Sequence, residues 1–534
     1  MLSPGRMLGH AGPAEARRRH ELLGFKGTLS TESMSDGERL PLLRDEEAMQ
    51  RRHLTCLGTL ALCLALATPS VALDLDLEPP ELPSLVNSGS QAVSGEEVRL
   101  GRTWLRQFRA RAPIWQDPIT QAYVDSLVAR LLPYSSLSGI RPVTTLVASE
   151  QLNAFAVPGG VIGINAGLFA FADQEAPMVS VVAHELGHLS QHHYARGKAR
   201  AEQTQIPTMA AMLAGMLLAA GSGSDAGLAA AMGSQAAFIQ DQLAYSRRYE
   251  READQTGLQI MAGAGYDPQA MVDMFRTMQR MIALQGGNPP EFLLTHPVTE
   301  SRISDAQSRV DQMHADASRE QSLEYQLVRA RALLAIHDRN PNQAITRQNR
   351  DSTPEDARRY LRALVDAEQG RTDAALNALD TLSRQHPDLA MLPATAAQVA
   401  LEAGRIDDAI ARGRHQLRLM PGYAPTTLVL GEALLQRDAD AAYRVLRELA
   451  DQHPEDPQVF ALLAEAAGHS DRKAWGHLAR AEQLQLTGHI DRGIEQLDVA
   501  KKVAEETGDT NALARIEQRR EAFIGYRKTM EKFR

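Results

Sequence analysis

The sequence predicts a mainly α-helical protein in two parts, an α+β part that carries a small sheet and an α-solenoid that follows it. Apolar residues recur with helical spacing through most of the chain. Two short segments, 143–148 and 154–164, instead carry strand-forming residues and are separated by turn residues. From Ser322 onward one pattern recurs with a period of 34 residues, which is typical of stacked helix pairs.

Length and charge narrow the class of protein further. A chain of 534 residues is too long for a single hydrophobic core, so two or more domains are expected. The net charge is −9, and no cluster of lysine and arginine is interleaved with aromatic residues. Nucleic acid is therefore not an expected partner.

The N-terminal residues indicate export. Residues 1–48 are polar and lack apolar periodicity, which predicts disorder or a wrongly assigned start codon. Residues 49–72 combine a basic start, an apolar run and a small-x-small site, the pattern of a cleaved signal peptide. The apolar run is too short for a membrane anchor, and Leu62 before Cys63 argues against lipidation. Residues 73–95 are rich in Pro and Ser and are predicted to be a linker.

The cysteines support the same compartment. Cys56 and Cys63 are the two cysteines of the chain, and both lie in the predicted signal peptide. The mature chain would carry no thiol, which suits an oxidising compartment such as the bacterial periplasm. Peripheral contact with a membrane surface is compatible with this location.

The stretch 181–191 reads VVAHELGHLSQ and carries the strongest motif. In a helix, His184 and His188 lie one turn apart on one face, and Glu185 sits beside them within reach of a metal-bound water. This HExxH pattern is typical of zinc hydrolases. The small Gly187 is expected to leave room beside the metal, and the helix is predicted to span 174–197. The alternative is an ordinary helix with two unrelated histidines.

A catalytic zinc takes three protein ligands and keeps one position for water. His192 and His193 follow the motif, but a continuing helix would turn His192 away from the ion. A carboxylate on a second helix, 240–262, is the better candidate. Glu250 and Asp254 share one face of that helix, and two buried carboxylates are costly unless they are paired or bind metal. The alternative is an exposed face that pairs with neighbouring arginines.

The segment 154–164 contains Pro158-Gly159-Gly160 at its centre. Proline is confined to strand edges and bulges. The segment therefore predicts an edge strand whose backbone groups bind an extended peptide by strand addition. The alternative is a plain hairpin that turns at these three residues. The residues expected to bind substrate are Asn153, Ala154, Phe155, Ala156 and Val157.

Three motifs in this order, NAFAVPGG, HELGH and EREAD, resemble the gluzincin metallopeptidases that include the HtpX-type and CAAX-prenyl proteases. With a signal peptide before and helical repeats after, the chain is most similar to the periplasmic BepA-type β-barrel assembly-enhancing proteases. The resemblance implies one zinc ion per chain, held by His184, His188 and Glu250. It also implies that Glu185 is the general base. For Asp254 it implies a proton donor, although a partner that orients a ligand histidine fits at least as well.

Two further segments have alternative interpretations. His296 resembles the histidine that fills the open zinc position of BepA-type proteins and keeps them latent, so it is a candidate latch ligand. Its alternative is a residue that caps or packs a loop. Residues 206–233, rich in Ala, Met and Gly, predict either a mobile helical hairpin near the cleft or ordinary buried helices.

The periodic part predicts about four tetratricopeptide repeats within 322–534. The matching positions are Gly370-Arg371, Ala375 and Pro387 in one copy and Gly404-Arg405, Ala409 and Pro421 in the next. Residues 342–345 belong to a degenerate first copy and residues 491–497 to a divergent last one. Such arrays bind segments of other proteins on their concave face, although a purely structural solenoid is the alternative.

The resemblance and the repeats together predict a zinc metallopeptidase domain over 96–315. The expected function is that of a periplasmic endopeptidase in the quality control and assembly of outer-membrane β-barrel proteins. Its substrates would be unfolded or stalled outer-membrane proteins, and its repeats would dock on the assembly machinery. The alternative is a chaperone that acts through its repeats while the protease site stays largely latent.

Overall fold

The computed structural model describes residues 95–201, 246–284, 290–313 and 322–531. Several predictions lie outside these ranges, namely disorder or a wrong start in 1–48, the signal peptide in 49–72, nearly all of the linker 73–95, and the helices of 206–233. Gly95, the last residue of the predicted linker, begins the first helix.

The first part is α+β, as predicted. Its helices are α1 (Gly95–Arg109), α2 (Pro118–Leu131), α3 (Ala166–Phe171), α4 (Glu175–Ser190), α5 (193–201), α6 (246–263), α7 (Gln269–Leu284), α8 (Glu291–Thr295) and α9 (Glu300–Val310). Its strands are β1 (Val143–Val147), β2 (Ala154–Val157) and β3 (Val161–Asn165). A short 3-10 turn, Leu132–Tyr134, follows α2.

The sheet has the strand order β1-β3-β2, with β1 parallel and β2 antiparallel to β3. The prediction of one strand over 154–164 is therefore wrong, and the hairpin alternative is correct. Gly159 and Gly160 have φ of +81° and +79°, the left-handed conformation that lets the chain reverse after Pro158. The edge position was nevertheless predicted correctly, because β3 lies between β2 and β1.

Helix α4 also differs from its predicted span. It ends at Ser190 and not at 197, and His192 adopts φ +50° before α5 begins. A left-handed residue just after the last helical residue is a common way to end a helix. For a residue other than glycine this conformation costs about 1–2 kcal/mol. The break redirects the chain immediately after the HExxH motif.

Two contacts fix the position of α4. At its first turn, Glu175 accepts hydrogen bonds from the hydroxyl of Tyr123 at 2.7 Å and from Arg130 at 3.2 Å. Further along, a Cβ on Gly187 would lie 2.6 Å from the carbonyl oxygen of Ala253 in α6. The backbones of α4 and α6 are therefore in direct contact. The structure gives Gly187 a role other than the predicted one, because its small size admits the second helix.

The second part is a stack of helix pairs, which confirms the predicted solenoid. The helices are α10 (Leu323–Ile336), α11 (Pro341–Gln348), α12 (Glu355–Glu368), α13 (Thr372–Gln385), α14 (Met391–Glu402), α15 (Ile406–Leu419), α16 (Ala424–Leu435), α17 (Ala439–Gln452), α18 (Pro457–His469), α19 (Lys473–Leu486), α20 (Ile490–Thr507) and α21 (Thr510–Glu531). Residues 322–531 thus form six pairs, more than the four or so that the pattern predicted. The sequence pattern did not mark one of the turns with glycine. In that turn Asp471, at φ +56°, takes the left-handed conformation that Gly370 and Gly404 adopt in other turns.

The repeats pack against the α+β part of the chain. Helix α2 contacts α10, α14 and α16, which are first helices of their pairs, and α1 contacts α19 and α21. Arg331 of α10 binds both carboxylate oxygens of Asp117 at 2.7 and 2.9 Å, and donates to the hydroxyl of Tyr360 at 3.0 Å. The first helices of these pairs are therefore partly covered by the chain itself.

None of the helices in the described ranges combines the length and the apolar character that crossing a bilayer requires.

We expect the substitution Gly187→Ala to force α4 and α6 apart, because its methyl group would overlap the backbone of Ala253. The expected cost is about 1–3 kcal/mol of stability, together with weaker metal binding measured by equilibrium dialysis. Gly468→Ala is the matched control, since no atom lies within 4 Å of its Cβ position. Wild-type metal affinity in Gly187→Ala would contradict the close crossing.

We expect Arg331→Met to loosen the repeats from the α+β part, because it leaves Asp117 buried without its cation. Breaking one side of a buried pair costs about 3–5 kcal/mol. The measurement is the midpoint of thermal unfolding. Arg405→Met removes the exposed pair with Asp373 and should change stability by less than about 1 kcal/mol. Equal shifts of the unfolding midpoint for the two substitutions would argue against Arg331 as a major contact between the two parts.

Candidate metal centre

Four side chains from three separate elements converge at one point. His184 and His188 project from α4 with their Nε2 atoms 3.1 Å apart. Glu250 projects from α6 and places its oxygens 3.5 Å from Nε2 of His184 and 3.4 Å from Nε2 of His188. His296, in the loop after α8, brings its Nδ1 to 3.0 Å from Glu250 and 3.4 Å from His184.

The spacing of these donors suits a tetrahedral ion. The donor atoms of the four residues all lie within 4.8 Å of one another. Ligand atoms about 2.1 Å from a tetrahedral centre stand about 3.4 Å apart. The separations of 3.0–3.5 Å given above lie close to that value. Two or three imidazoles with one carboxylate are also a donor set that zinc prefers.

Glu185 is buried beside this group. Its Oε1 has no hydrogen-bond partner among the described residues, and Nε2 of His296 lies 3.7 Å from it. The backbone of Ala156 in β2 hydrogen-bonds the same carboxylate. Burial raises the pKa of Glu185, which brings the carboxylate closer to the pKa that a general base needs.

Asp254 lies behind His184 and not in the cleft. Its Oδ1 is 3.0 Å from Nδ1 of His184, and Arg302 donates to both of its oxygens at 2.6 and 2.8 Å. Burial raises the pKa of Asp254, but the Arg302 guanidinium and His184 together outweigh burial and lower the pKa below its usual value. The carboxylate therefore stays ionised near neutral pH, which fits a partner that orients His184 better than a proton donor.

The two motif histidines differ in protonation. Burial lowers the pKa of His184, but hydrogen bonds to Asp254 and Glu250 outweigh it and raise the value to about 9. Burial, together with the neighbouring His184, lowers the pKa of His188 to about 3. His188 is thus neutral at pH 7, the form that binds metal. An ion that enters the site displaces a proton from His184.

The cleft beside the donors has a volume of about 300 Å³ and is lined by Phe155 and Ala156 of β2. Asn165 donates from its backbone to the carbonyl of Asn153 at 3.1 Å. Bonded and outward-facing residues alternate in an antiparallel pair. Phe155 and Val157 therefore bond to β3, whereas Ala154 and Ala156 turn their backbone groups outward. This agrees with the contact between Ala156 and Glu185.

Sequence reasoning missed Arg302 and named His193 without giving it a role. Arg302 follows His296 closely in the chain, and its Nη1 lies 3.0 Å from Oε2 of Glu250. His193 contacts Nδ1 of His188 with its own Nδ1 at 2.9 Å. The signal for His193 was present as a histidine shortly after the motif, but a continuous helix was assumed there. His192, the other histidine weighed, lies 3.7 Å from Glu97.

Comparison with known families agrees with this geometry. The model of peptidase family M48 matches residues 118–310, a range that contains all four donors. A tetratricopeptide-repeat model matches residues 400–466.

Comparison with single proteins gives similarity over most of the chain. The β-barrel assembly-enhancing protease of Escherichia coli strain K12 is 31% identical over 434 residues, which cover 78% of this chain and 86% of the relative. A putative β-barrel assembly-enhancing protease of Vibrio cholerae is 30% identical over 87% of this chain and 98% of its own. The mitochondrial metalloendopeptidase OMA1 of Schizosaccharomyces pombe is 28% identical over 34% of this chain and 51% of its own length. The chain is therefore a metalloprotease that carries tetratricopeptide repeats, and it belongs to the β-barrel assembly-enhancing proteases of peptidase family M48.

Proposed function

We propose that the protein is a zinc endopeptidase in which His184, His188 and Glu250 hold the ion and Glu185 is the general base. The observation that carries the proposal is the spacing of the donors on α4 and α6, together with Oε1 of Glu185 beside them, which has no hydrogen-bond partner in the part of the chain that the structure describes. Zinc, when bound, polarises a peptide carbonyl and makes water more acidic. These residues fit that ion in type and in separation.

The proposed mechanism assigns one task to each residue. The outward backbone groups of Ala154 and Ala156 bind the substrate as an added strand. Asn153, Phe155 and Val157 of the same segment pair with β3 and its end and so hold the segment in place. Oε1 of Glu185 accepts a proton from the attacking water and returns it to the leaving amine.

Asp254 has a positioning task in this proposal. Its Oδ1 accepts from Nδ1–H of His184, which fixes the ring with Nε2 toward the ion. Arg302 holds the Asp254 carboxylate and also reaches Glu250. One guanidinium thus keeps a ligand and the partner of another ligand in place.

We further propose a periplasmic location and outer-membrane β-barrel substrates that are unfolded or stalled. The names of the Escherichia coli and Vibrio cholerae relatives support the substrate class, and the signal-peptide pattern of residues 49–72 supports the location. Unfolded β-barrel segments are extended chains of alternating polarity. An edge strand binds such segments through the backbone, which suits many sequences.

The repeats offer a surface for substrate or for the assembly machinery. A groove of about 1030 Å³ lies between α2, β1 and the segment 451–459 of the repeats. Ile140 lines both this groove and the cleft beside the metal centre. We propose that an extended substrate runs from the groove past Ile140 toward β2.

His296 favours a second function, that of a chaperone whose protease is latent. Nδ1 of His296 lies 3.4 Å from Nε2 of His184 and 3.0 Å from Oε1 of Glu250, separations that suit neighbouring ligands of one ion. A resting ion would then have four protein ligands and no position for water. Loop movement would then be required for cleavage. If Glu185→Gln restores membrane integrity to a strain that lacks the protein, the chaperone function is favoured, whereas failure to do so favours proteolysis.

We expect Glu185→Gln to lower the cleavage of unfolded casein by at least about a hundredfold while the zinc content stays at the wild-type level. The amide cannot accept the proton, but it fills the same space. Glu150→Gln, which changes an exposed carboxylate, should leave the rate unchanged. Substantial cleavage by Glu185→Gln would overturn the general-base assignment.

We expect His296→Ala to raise the basal rate of casein cleavage severalfold, because it opens the fourth position around the ion. The measurement is the initial rate at equal zinc content. Leu294→Ala changes an exposed side chain of α8, two residues before His296, and serves as the control. An unchanged or lower rate for His296→Ala with zinc retained would exclude a latch.

A further inference from the structure

His193 is a buried histidine for which the proposed mechanism has no task. Its side chain is 5% exposed. Its Nδ1 lies 2.9 Å from Nδ1 of His188, and its Nε2 lies 3.1 Å from Oε2 of Glu252. Its ring stacks on Tyr249 with centroids 4.3 Å apart and planes inclined by 21°. Both ring nitrogens therefore have defined partners.

With an ion on Nε2 of His188, two neutral rings satisfy these contacts in only one arrangement of protons. His188 directs Nε2 toward the other donors, so the neutral ligand carries its proton on Nδ1. That N–H can donate only if Nδ1 of His193 is bare. His193 then carries its proton on Nε2 and donates it to Glu252. The line from His188 through His193 to Glu252 thus contains two hydrogen bonds of fixed direction.

Glu252 is itself held in place. Arg196 donates to its Oε2 and Arg248 to its Oε1, both at 2.8 Å. Two guanidiniums keep this carboxylate ionised and oriented toward His193. The chain of hydrogen bonds from His188 through His193 therefore ends on a carboxylate that two arginines hold in place.

The backbone bears a strain that brings His193 to this place. A continued α4 would carry the chain straight on, but His192 adopts φ +50° and starts α5 in a new direction. Residues in a strained backbone conformation persist where surrounding contacts hold them in it, often at functional sites. His193 does not belong to the group of donors within 4.8 Å, so its place is behind a ligand.

We propose that His193 is a positioning residue that fixes the tautomer and the ring orientation of His188, as Asp254 does for His184. The inference rests on the proposed ligation of the ion by His188. The two ligands would then be supported unequally, because Asp254 is an anion and His193 is a neutral imidazole. Outer partners of ligand histidines typically affect metal affinity by about 10–100-fold.

The test compares two substitutions of His193. His193→Leu keeps an apolar side chain against Tyr249 but removes the acceptor, whereas the Oδ1 of His193→Asn stands near the former Nδ1. We expect about 10–100-fold weaker zinc binding for His193→Leu, faster zinc release to a chelator, and an altered visible spectrum of the cobalt(II) form. His193→Asn should restore most of the affinity, and His192→Asn, the control, should match wild type.

Each outcome separates this inference from the proposed function. Wild-type zinc affinity and an unchanged cobalt spectrum in His193→Leu would overturn the role of His193 alone. Equal losses in His193→Leu and His193→Asn would show a packing role and would also overturn it. Wild-type protein that binds no stoichiometric zinc would instead overturn the proposed function.

Discussion

Helices α4 and α6 touch backbone to backbone where Gly187 meets Ala253, and the metal centre depends on this contact. The donors of α4 lie one turn apart on a single helix, whereas Glu250 belongs to a segment far along the chain. A larger side chain at the crossing would push the helices apart, and Glu250 would then lie too far from His184 and His188 to bind the same ion. A second close approach, where a Cβ on Gly257 would lie 3.2 Å from the backbone of Ala183, supports the same geometry.

The crossing also brings several carboxylates together away from water, and their surroundings divide their tasks. Burial raises the pKa of both Glu185 and Glu250. At Glu250, three neighbouring histidines outweigh burial and lower the pKa, so this carboxylate stays ionised. Glu185 has no such set of partners and keeps the raised pKa that suits proton transfer. Neighbouring carboxylates whose pKa values are moved in opposite directions are typical of acid–base sites.

Local periodicity is enough to predict the helices and the candidate donors that lie on them. The four-residue spacing of His184 and His188, and of Glu250 and Asp254, by itself places each pair on one helix face. Periodicity does not predict how separate elements meet. Arg302 reaches Asp254 from another helix, and the partnership of His193 with His188 depends on the break in the chain that follows α4. In the repeats, an aspartate occupies one turn that the pattern would mark with glycine.

The central claim is that two helices and one ion form a single centre, and a crystal of zinc-loaded protein tests it most directly. The measurement is an anomalous difference map at the zinc absorption edge. We expect one strong peak per chain, about 2.0–2.2 Å from Nε2 of His184, Nε2 of His188 and an oxygen of Glu250. A peak that lacks Glu250 as a neighbour, or no peak between α4 and α6, would contradict the account.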